Sequence, residues 1–327
     1  MSKLFVQRNV SFTLVLAVAS LTTGCAPLSS DDSLITRAAA VAPTPLLYIA
    51  NAFAPSVTEF PFTANGNVAP VREIFGSHTG MGQGLAGIAV DSTGITYVSA
   101  VDGGILEYAA GANGNVSPIR EITAATNGPV NGFELAVDSA NNLYVANGTD
   151  IKVFAPGAHG VAPPLRDIGG SATTIGFVQG VAVDRAGRLY AADLTNVAIL
   201  VFAAGANGNV APIARIAGTK TTLASPRYIG VSPAGNMYVS DETEVQVFVA
   251  GANGNVAPAR AITFNGPNGP YGNVAIAHSN AFLGEFHESA PWSVDAYRAG
   301  LHGGSNPLRI VVGSETQLAD PVGAAVR

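Results

Sequence analysis

The chain has 327 residues, with 48% hydrophobic and only 12% charged residues, 38 Gly, 20 Pro and a single Cys. Sixteen Lys and Arg stand against 22 Asp and Glu, a formal charge of −6, which argues against a phosphate backbone as partner because nucleic-acid affinity rests on clustered cations. The lone Cys excludes a disulfide core and a cysteine metal cluster.

In chain order, Lys3 and Arg8 form a positive start, and Val10 to Leu21 is a mainly apolar run. That run is too short to cross a bilayer and suits the apolar region of a signal peptide. It ends in Leu21-Thr22-Thr23-Gly24-Cys25. This resembles the bacterial lipoprotein signal, cut before a Cys that is then lipidated. The pattern prefers Leu where Thr22 stands. The resemblance implies a signal peptide over 1–24, a lipid on Cys25 and a cell-envelope location anchored to a membrane. Ala26 after the Cys favours the outer membrane of a Gram-negative cell. Residues 25–45, rich in Ala, Pro and Ser and without periodicity, read as a flexible tether.

From residue 46 to 327 a repeat takes over. ANGNVAP at 64–70 returns as ANGNVSP at 112–118 and as ANGNVAP at 206–212 and 252–258. Altered copies are AHGVAP at 158–163 and LHGGSNP at 301–307. The starts are spaced by 48, 46, 48, 46 and 49 residues. Each period carries four strand-like runs with Asn-Gly and Asp-x-x-Gly turns, which are antiparallel hairpin signals. In the second period these runs are Gly87–Val90, Ile95–Ser99, Ile105–Tyr108 and Ile119–Ile122. Four antiparallel strands in such a period predict a propeller blade. The chain enters out of phase, at a second strand over 46–50. The missing first strand is supplied by residues 321–326. The predicted fold is therefore an all-β, six-bladed β-propeller, with the first blade closed by the C-terminal strand. Ring closure removes open sheet edges.

Val178 to Asp193, VQGVAVDRAGRLYAAD, is similar to the NHL repeat, as are Pro226 to Asp241 and Gly87 to Ser99. The resemblance implies a propeller and says little of function, since such propellers serve as peptide, protein and RNA binders, signalling ectodomains, lyases and lactonases.

Repeated residues are expected to serve the fold. The ANGN turns are read as hairpins in which Asn and Gly take positive φ. Asp91, Asp138 and Asp184 are read as turn closers. Arg72, Arg120, Arg166, Arg260 and Arg309 are read as solvated charges on outer strands, three of them followed by Glu73, Glu121 and Asp167. Residues that break the repeat are candidates for function. At the starts of the inner strands these are Glu134, Gln179, Arg227, Tyr228, Tyr271 and Asn273, together with His287 in the loop Phe286–Trp292. They are expected to cluster at the channel mouth and to bind a polar ligand, a peptide or an envelope protein, in a monomeric chain and without a required cofactor.

Enzyme relatives test the alternative. The peptide-amidating lyase propeller, which resembles this fold, holds zinc with three histidines. Of the five here, only His78 and His287 fall on the mouth side. Streptogramin lyase resembles it too, but with seven blades. The gluconolactonase and paraoxonase group has six blades and calcium held by Glu, Asn and Asp. Glu134 and Asn273 supply two such ligands, with no acidic third at a strand start. Asp193 and Asp241 are read as ordering the turns that follow them. No complete catalytic set emerges, so a binding scaffold is the leading expectation and a metal-dependent lactonase or lyase with Ca2+ the alternative.

Overall fold

The structure is a computed structural model, and it describes residues 45–327 except 127, 129, 242–243, 264–272, 278–279, 286–291, 299, 301–302 and 305. Short β-branched and aromatic runs punctuated by Gly turns give strands of two to six residues. Among the described residues they assemble into six mainly antiparallel sheets, and the fold is an all-β propeller.

The first sheet pairs Pro321–Val326, Leu46–Asn51, Ser56–Pro61 and Arg72–Phe75 in that order. Leu47 lies opposite Val326 and Ile49 opposite Ala324, so the two ends of the described chain share one sheet. The second sheet runs Leu85–Val90, Thr96–Ala100, Ile105–Tyr108 and Arg120–Ala125. The third runs Leu135–Val137, Leu143–Ala146, Asp150–Phe154 and Arg166–Gly169. The fourth runs Val178–Val183, Leu189–Asp193, Ala198–Phe202 and Ala214–Ala217. The fifth runs Pro226–Val231, Met237–Asp241, Glu244–Phe248 and Arg260–Thr263. The sixth runs Val274–Ala277, Asn280–Glu285, Ser293–Arg298 and Arg309–Val312.

The first-named strand of each sheet packs against its counterpart in the next, and the strand of the sixth meets Pro321–Val326. Together these six inner strands line an axial cavity of about 190 Å3. The apolar cores lie between neighbouring sheets. Tyr144, Ile151 and Val153 of the third sheet, for example, pack with Val181, Leu189 and Leu200 of the fourth. A middle strand has a neighbour on both faces, so both of its alternating side-chain sets are buried. That is why Ala198–Phe202 is apolar and buried throughout.

The ANGN segments do more than turn the chain. Their glycines do take positive φ, 77° at Gly66, 76° at Gly114, 72° at Gly208 and 77° at Gly254. Contrary to expectation, the flanking asparagines do not. They reach the preceding sheet instead. The first Asn accepts the N–H of an outer-strand residue there: Asn113 from Glu73 (2.9 Å), Asn207 from Asp167 (2.9 Å), Asn253 from Arg215 (3.0 Å) and Asn65 from Ile310 (3.0 Å). The second accepts an N–H from the loop that follows that strand: Asn115 from His78 (2.7 Å), Asn209 from Ala172 (2.6 Å), Asn255 from Lys220 (2.7 Å) and Asn67 from Glu315 (2.8 Å).

Each receiving loop reads Gly-Ser/Thr-x-Thr: Gly76–Thr79, Gly170–Thr173, Gly218–Thr221 and Gly313–Thr316. The Gly makes room for the clasp, because a Cβ at Gly170 would lie 2.7 Å from the side chain of Asn209. Where a turn lacks the asparagines, its receiving loop lacks this motif as well. There the Gly160–Ala162 segment pairs in parallel with Arg120–Ala125, and Gly303–Gly304 with Arg260–Thr263, extending the single parallel bridges found at Gly66, Gly114 and Gly254 of the clasped turns. Those two junctions, second with third and fifth with sixth sheet, lie three sheets apart.

The outer-strand arginines also depart from expectation. Arg72 and Arg120 do not pair with the acids that follow them. They pair with Glu59 and Glu107 on the adjacent strand, both carboxylates being almost fully buried, with the Arg120 pair at 2.7 Å. Arg166 donates to the Tyr144 hydroxyl at 2.7 Å, and that hydroxyl donates to Asp138 at 3.2 Å. Arg260 bonds Tyr238, and the Arg309 guanidinium lies 5.4 Å from the centre of the Phe62 ring. Asp167 pairs with the buried Lys152 at 3.3 Å. Arg72, Arg120, Arg166 and Arg260 therefore tie outer strands into their own sheets, whereas Arg309 of the sixth sheet reaches Phe62 beside the first.

The hairpin-closing aspartates behave as predicted. Asp91 accepts the N–H groups of Thr93, Gly94 and Ile95, and Asp138 and Asp184 do the same in their turns. Burial pushes the Asp184 carboxyl up, but bonds from Arg188 and Tyr190 more than offset it and hold the group below the usual aspartate range.

Candidate functional site

One register position at the start of the inner strands recurs around the axis: Gly87, Glu134, Gly180, Tyr228, Asn273 and Gly323. Glycine belongs there because neighbouring inner strands nearly touch. A Cβ at Gly180 would sit 2.4 Å from the Arg227 carbonyl oxygen and 2.8 Å from Glu134 Oε2. The bulky residues reach into the space that such glycines leave.

Glu134 is 2% exposed. Its backbone N–H donates to the Gln179 carbonyl at 3.1 Å. Its Oε2 accepts the Val181 N–H at 2.8 Å, and the carboxylate also accepts the Ile229 N–H. One side chain thus serves two inner strands. Burial outweighs both bonds and lifts its pKa well above the usual glutamate value. Asn273, three sheets away, repeats the arrangement. Its N–H donates to the Val322 carbonyl at 3.3 Å, and its Oδ1 accepts the Ala324 N–H at 3.2 Å.

The structure brings Gln179 and Tyr228 together as well: Gln179 Nε2 donates to the Tyr228 hydroxyl at 3.3 Å. Tyr228 is buried, and its pKa is pushed up to about 12 by that burial and by the Glu134 charge. The charges of Arg227 and Asp320 also act on it. Arg227 itself is half-buried. Among the described residues no ion pair joins it to Glu134 or to any other acid. Tyr271 and His287 lie outside the described residues.

Asp320 was not among the residues singled out from sequence. It is 8% exposed and has a φ of 60°. Its carbonyl accepts the Ala52 N–H at 3.0 Å, but among the described residues its carboxylate has no hydrogen-bond or ion-pair partner. Burial raises its pKa. The sequence did hold a signal. Asp320 occupies the place taken by Gly84, Asn131, Phe177, Ser225 and Pro270 in the other loops, so it is the acid in an otherwise uncharged series.

Asp193 and Asp241 brace the loops that lead into the inner strands. Asp193 accepts the N–H groups of Gly176 (2.8 Å) and Phe177 (3.0 Å), besides that of Asn196 in its own turn (3.2 Å). Asp241 accepts those of Ala224 (2.9 Å) and Ser225. Asn51 and Asn147 do the same for Ala319 (3.1 Å) and Asn131 (2.6 Å). Among the described residues, no group of three or more His, Cys, Asp or Glu side chains is placed to hold a metal ion. A cleft of about 960 Å3 lies off the axis, lined by Pro55, Phe75, Met81 and Leu318 and with Glu73 as its ionisable group.

No protein-family model and no curated protein matches the chain. Solved structures do match. A chain of a nidogen/laminin complex is 13% identical, with a TM-score of 0.59, over 86% of this chain and 98% of that one. A protein of unknown function from Bacteroides caccae is 8% identical, with a TM-score of 0.59 and the same shares covered. At such identities the likeness is one of fold, and the fold it supports is the β-propeller.

Proposed function

We propose that this chain is a lipid-anchored binding scaffold of the bacterial cell envelope, a six-bladed ring closed by its C-terminal strand. Its binding site is the mouth of the channel. One observation carries this reading. Glu134, Gln179, Tyr228 and Asn273 are engaged in bonds within the protein, whereas the guanidinium of Arg227 stands beside them with no acidic partner among the described residues. A half-buried cation on a rigid rim suits an anionic group through a forked hydrogen bond. The partner is an envelope protein, a peptide or a small polar ligand. The fold is found in a protein assembly in the nidogen/laminin case.

The anchor rests on the sequence alone: a signal-like start, Cys25 at the cleavage point and a tether behind it. Ala26 points to the outer membrane if the cell is Gram-negative.

The test is capture from an envelope extract by the immobilised full-length protein. Arg227→Ala abolishes capture and leaves the melting temperature nearly unchanged if the reading holds. Capture that survives, with a sharp drop in melting temperature, makes Arg227 a scaffold residue. Calorimetry with calcium and zinc separates the enzyme alternative. One tightly bound ion per chain, lost in Glu134→Gln, would favour a metal-dependent lactonase or lyase.

A further inference from the structure

The repeat builds a similar cleft beside two of its sheets and supplies a cation to one of them. Beside the third sheet, Asp150, Asp167, Gly169 and Ile175 line a cleft of about 610 Å3. The off-axis cleft of about 960 Å3 has Ser56, Glu73, Phe75 and Met81 at the same stations of the first sheet and the loop after it. The ladders match as well: Asp167 stands opposite Lys152, and Glu73 opposite Thr58. In the third sheet the buried Lys152 ammonium meets Asp150 at 3.2 Å and Asp167 at 3.3 Å. The first sheet keeps the outer-strand carboxylate, but Thr58 brings no charge to it. Among the described residues the Glu73 carboxylate has no hydrogen-bond or ion-pair partner, and burial raises its pKa. Glu73 is half-buried, so a group entering the cleft reaches it. Glu121, at the same station of the second sheet, is by contrast exposed.

The remaining wall is largely apolar. Phe75 stands where the third sheet has Gly169, and it is 51% exposed. Pro55, Met81 and Leu318 line the cleft with it. Phe53 borders it, with its N–H on the Ala319 carbonyl at 3.3 Å and its exposed ring 6.4 Å from that of Trp292. One carboxylate in an apolar cleft, with exposed aromatic rings beside it, fits a cation carried on an apolar stem.

We propose that this cleft is a second binding site, off the axis and separate from the channel mouth, that takes a lysine side chain presented by a peptide or protein segment. The lysine ammonium bonds the Glu73 carboxylate, as Lys152 bonds Asp167 within the chain, and the methylene stem lies against Phe75. The cleft is larger than one side chain, which leaves space for the residues flanking that lysine.

The test titrates the full-length protein with N-acetylated, C-amidated Leu-Lys-Leu, read by calorimetry. The comparison peptide carries norleucine for lysine, which keeps the stem and loses the charge. The lysine peptide should bind at least about fivefold more tightly, the upper end for a partly exposed ion pair. Glu73→Gln should erase that preference and leave the norleucine peptide unaffected. Phe75→Ala should weaken both peptides. Glu121→Gln, at the equivalent station without the cleft, should change neither. Thermal melts check that each variant is folded. Equal binding of the two peptides, binding of neither, or a preference that survives Glu73→Gln overturns the proposal. An equal loss in Glu121→Gln assigns the preference to general surface charge and overturns it too.

Discussion

Glu134 Oε2 accepts the backbone N–H of Val181 at 2.8 Å, across the junction between the third and fourth sheets. With its further bond to Ile229 it pins the inner strands of two other sheets from one buried side chain. Removing it leaves the backbone N–H groups of Val181 and Ile229 without this acceptor. Glu134→Ala should cost about 2–4 kcal/mol, read as a shift of the denaturation midpoint with an unchanged slope. A change within a few tenths of a kcal/mol would show that the pin is idle.

The same residue gives a pH dependence. Burial holds its folded pKa well above the usual glutamate value, so the folded state holds this proton more firmly than the unfolded chain. The linked stability is present at low pH and is lost as pH rises from about 4.5 through the folded value. Glu134→Gln has no such proton. Stability of the native protein relative to Glu134→Gln should therefore fall as pH rises above the ordinary glutamate range. A difference that is flat, or that rises, contradicts the assignment.

The inter-sheet clasp is testable by coupling. Asn209 Oδ1 accepts the Ala172 N–H at 2.6 Å, and both groups are near the surface. Its loss should cost about 1 kcal/mol. Gly170→Ala should cost more, since φ is 106° and the new Cβ meets Asn209. The Asn209→Ala/Gly170→Ala double variant should be less destabilised than the sum of the singles, because the nearest clashing atoms, Oδ1 and Cγ of Asn209, have gone. Strict additivity would mean that the two do not touch.

The buried ion pair between Arg120 and Glu107 makes a third case. Glu107 is 1% exposed and burial raises its pKa, with the Arg120 bond opposing. Arg120→Ala leaves that carboxylate buried and unpaired. A loss of about 2–4 kcal/mol is expected, at the lower side of the buried-pair range because the Arg is partly exposed. Arg120→Met with Glu107→Leu should recover most of it. If the single change is silent, the pair is only a surface contact.

What was legible in the sequence followed from repetition. A hairpin turn needs Gly at fixed places, so the periods located the strands, and the glycine position at the inner-strand starts exposed Glu134, Tyr228 and Asn273 as exceptions. The partners of those exceptions were not legible. Asn115 and His78 are 37 residues apart and Glu134 and Val181 are 47 apart. Hydrogen bonds between repeats leave no local pattern. Arg72 reads in the sequence as a solvated outer-strand charge followed by Glu73, but alternation along a strand turns those two side chains to opposite faces. The true partner, Glu59, lies directly across the ladder. Asp320 lies in a loop three places before the repeat-breaking position, where the residue varies from repeat to repeat, so its charge breaks no fixed pattern.

Lipidation is tested at Cys25. Cys25→Ser should abolish labelling by a fatty-acid probe and leave the exported protein in the soluble fraction. Equal membrane retention, with neither form labelled, would show that the anchor is not this lipid.

The closing strand is the sharpest test of the ring. Residues 321–326 pair with Leu46–Asn51, and Asn65 and Asn67 clasp Ile310 and Glu315, so the first sheet is joined to the last by two independent devices. They are not equivalent. Deleting residues 321–327 bares the edge of Leu46–Asn51, removes Ala324 from the core that holds Leu47 and Ile49, and frees the Asn273 side chain. An open strand edge also invites pairing with another chain. Stability should fall by at least 4–5 kcal/mol, which is the exceptional end of the range for single changes, and the truncated protein should self-associate. Asn65→Ala with Asn67→Ala removes only the clasp and should cost about 1–3 kcal/mol, leaving the chain monomeric. A truncated chain that melts like the intact one would show that the ring does not depend on its last strand. Equal losses from both changes would place the closure in the clasp instead.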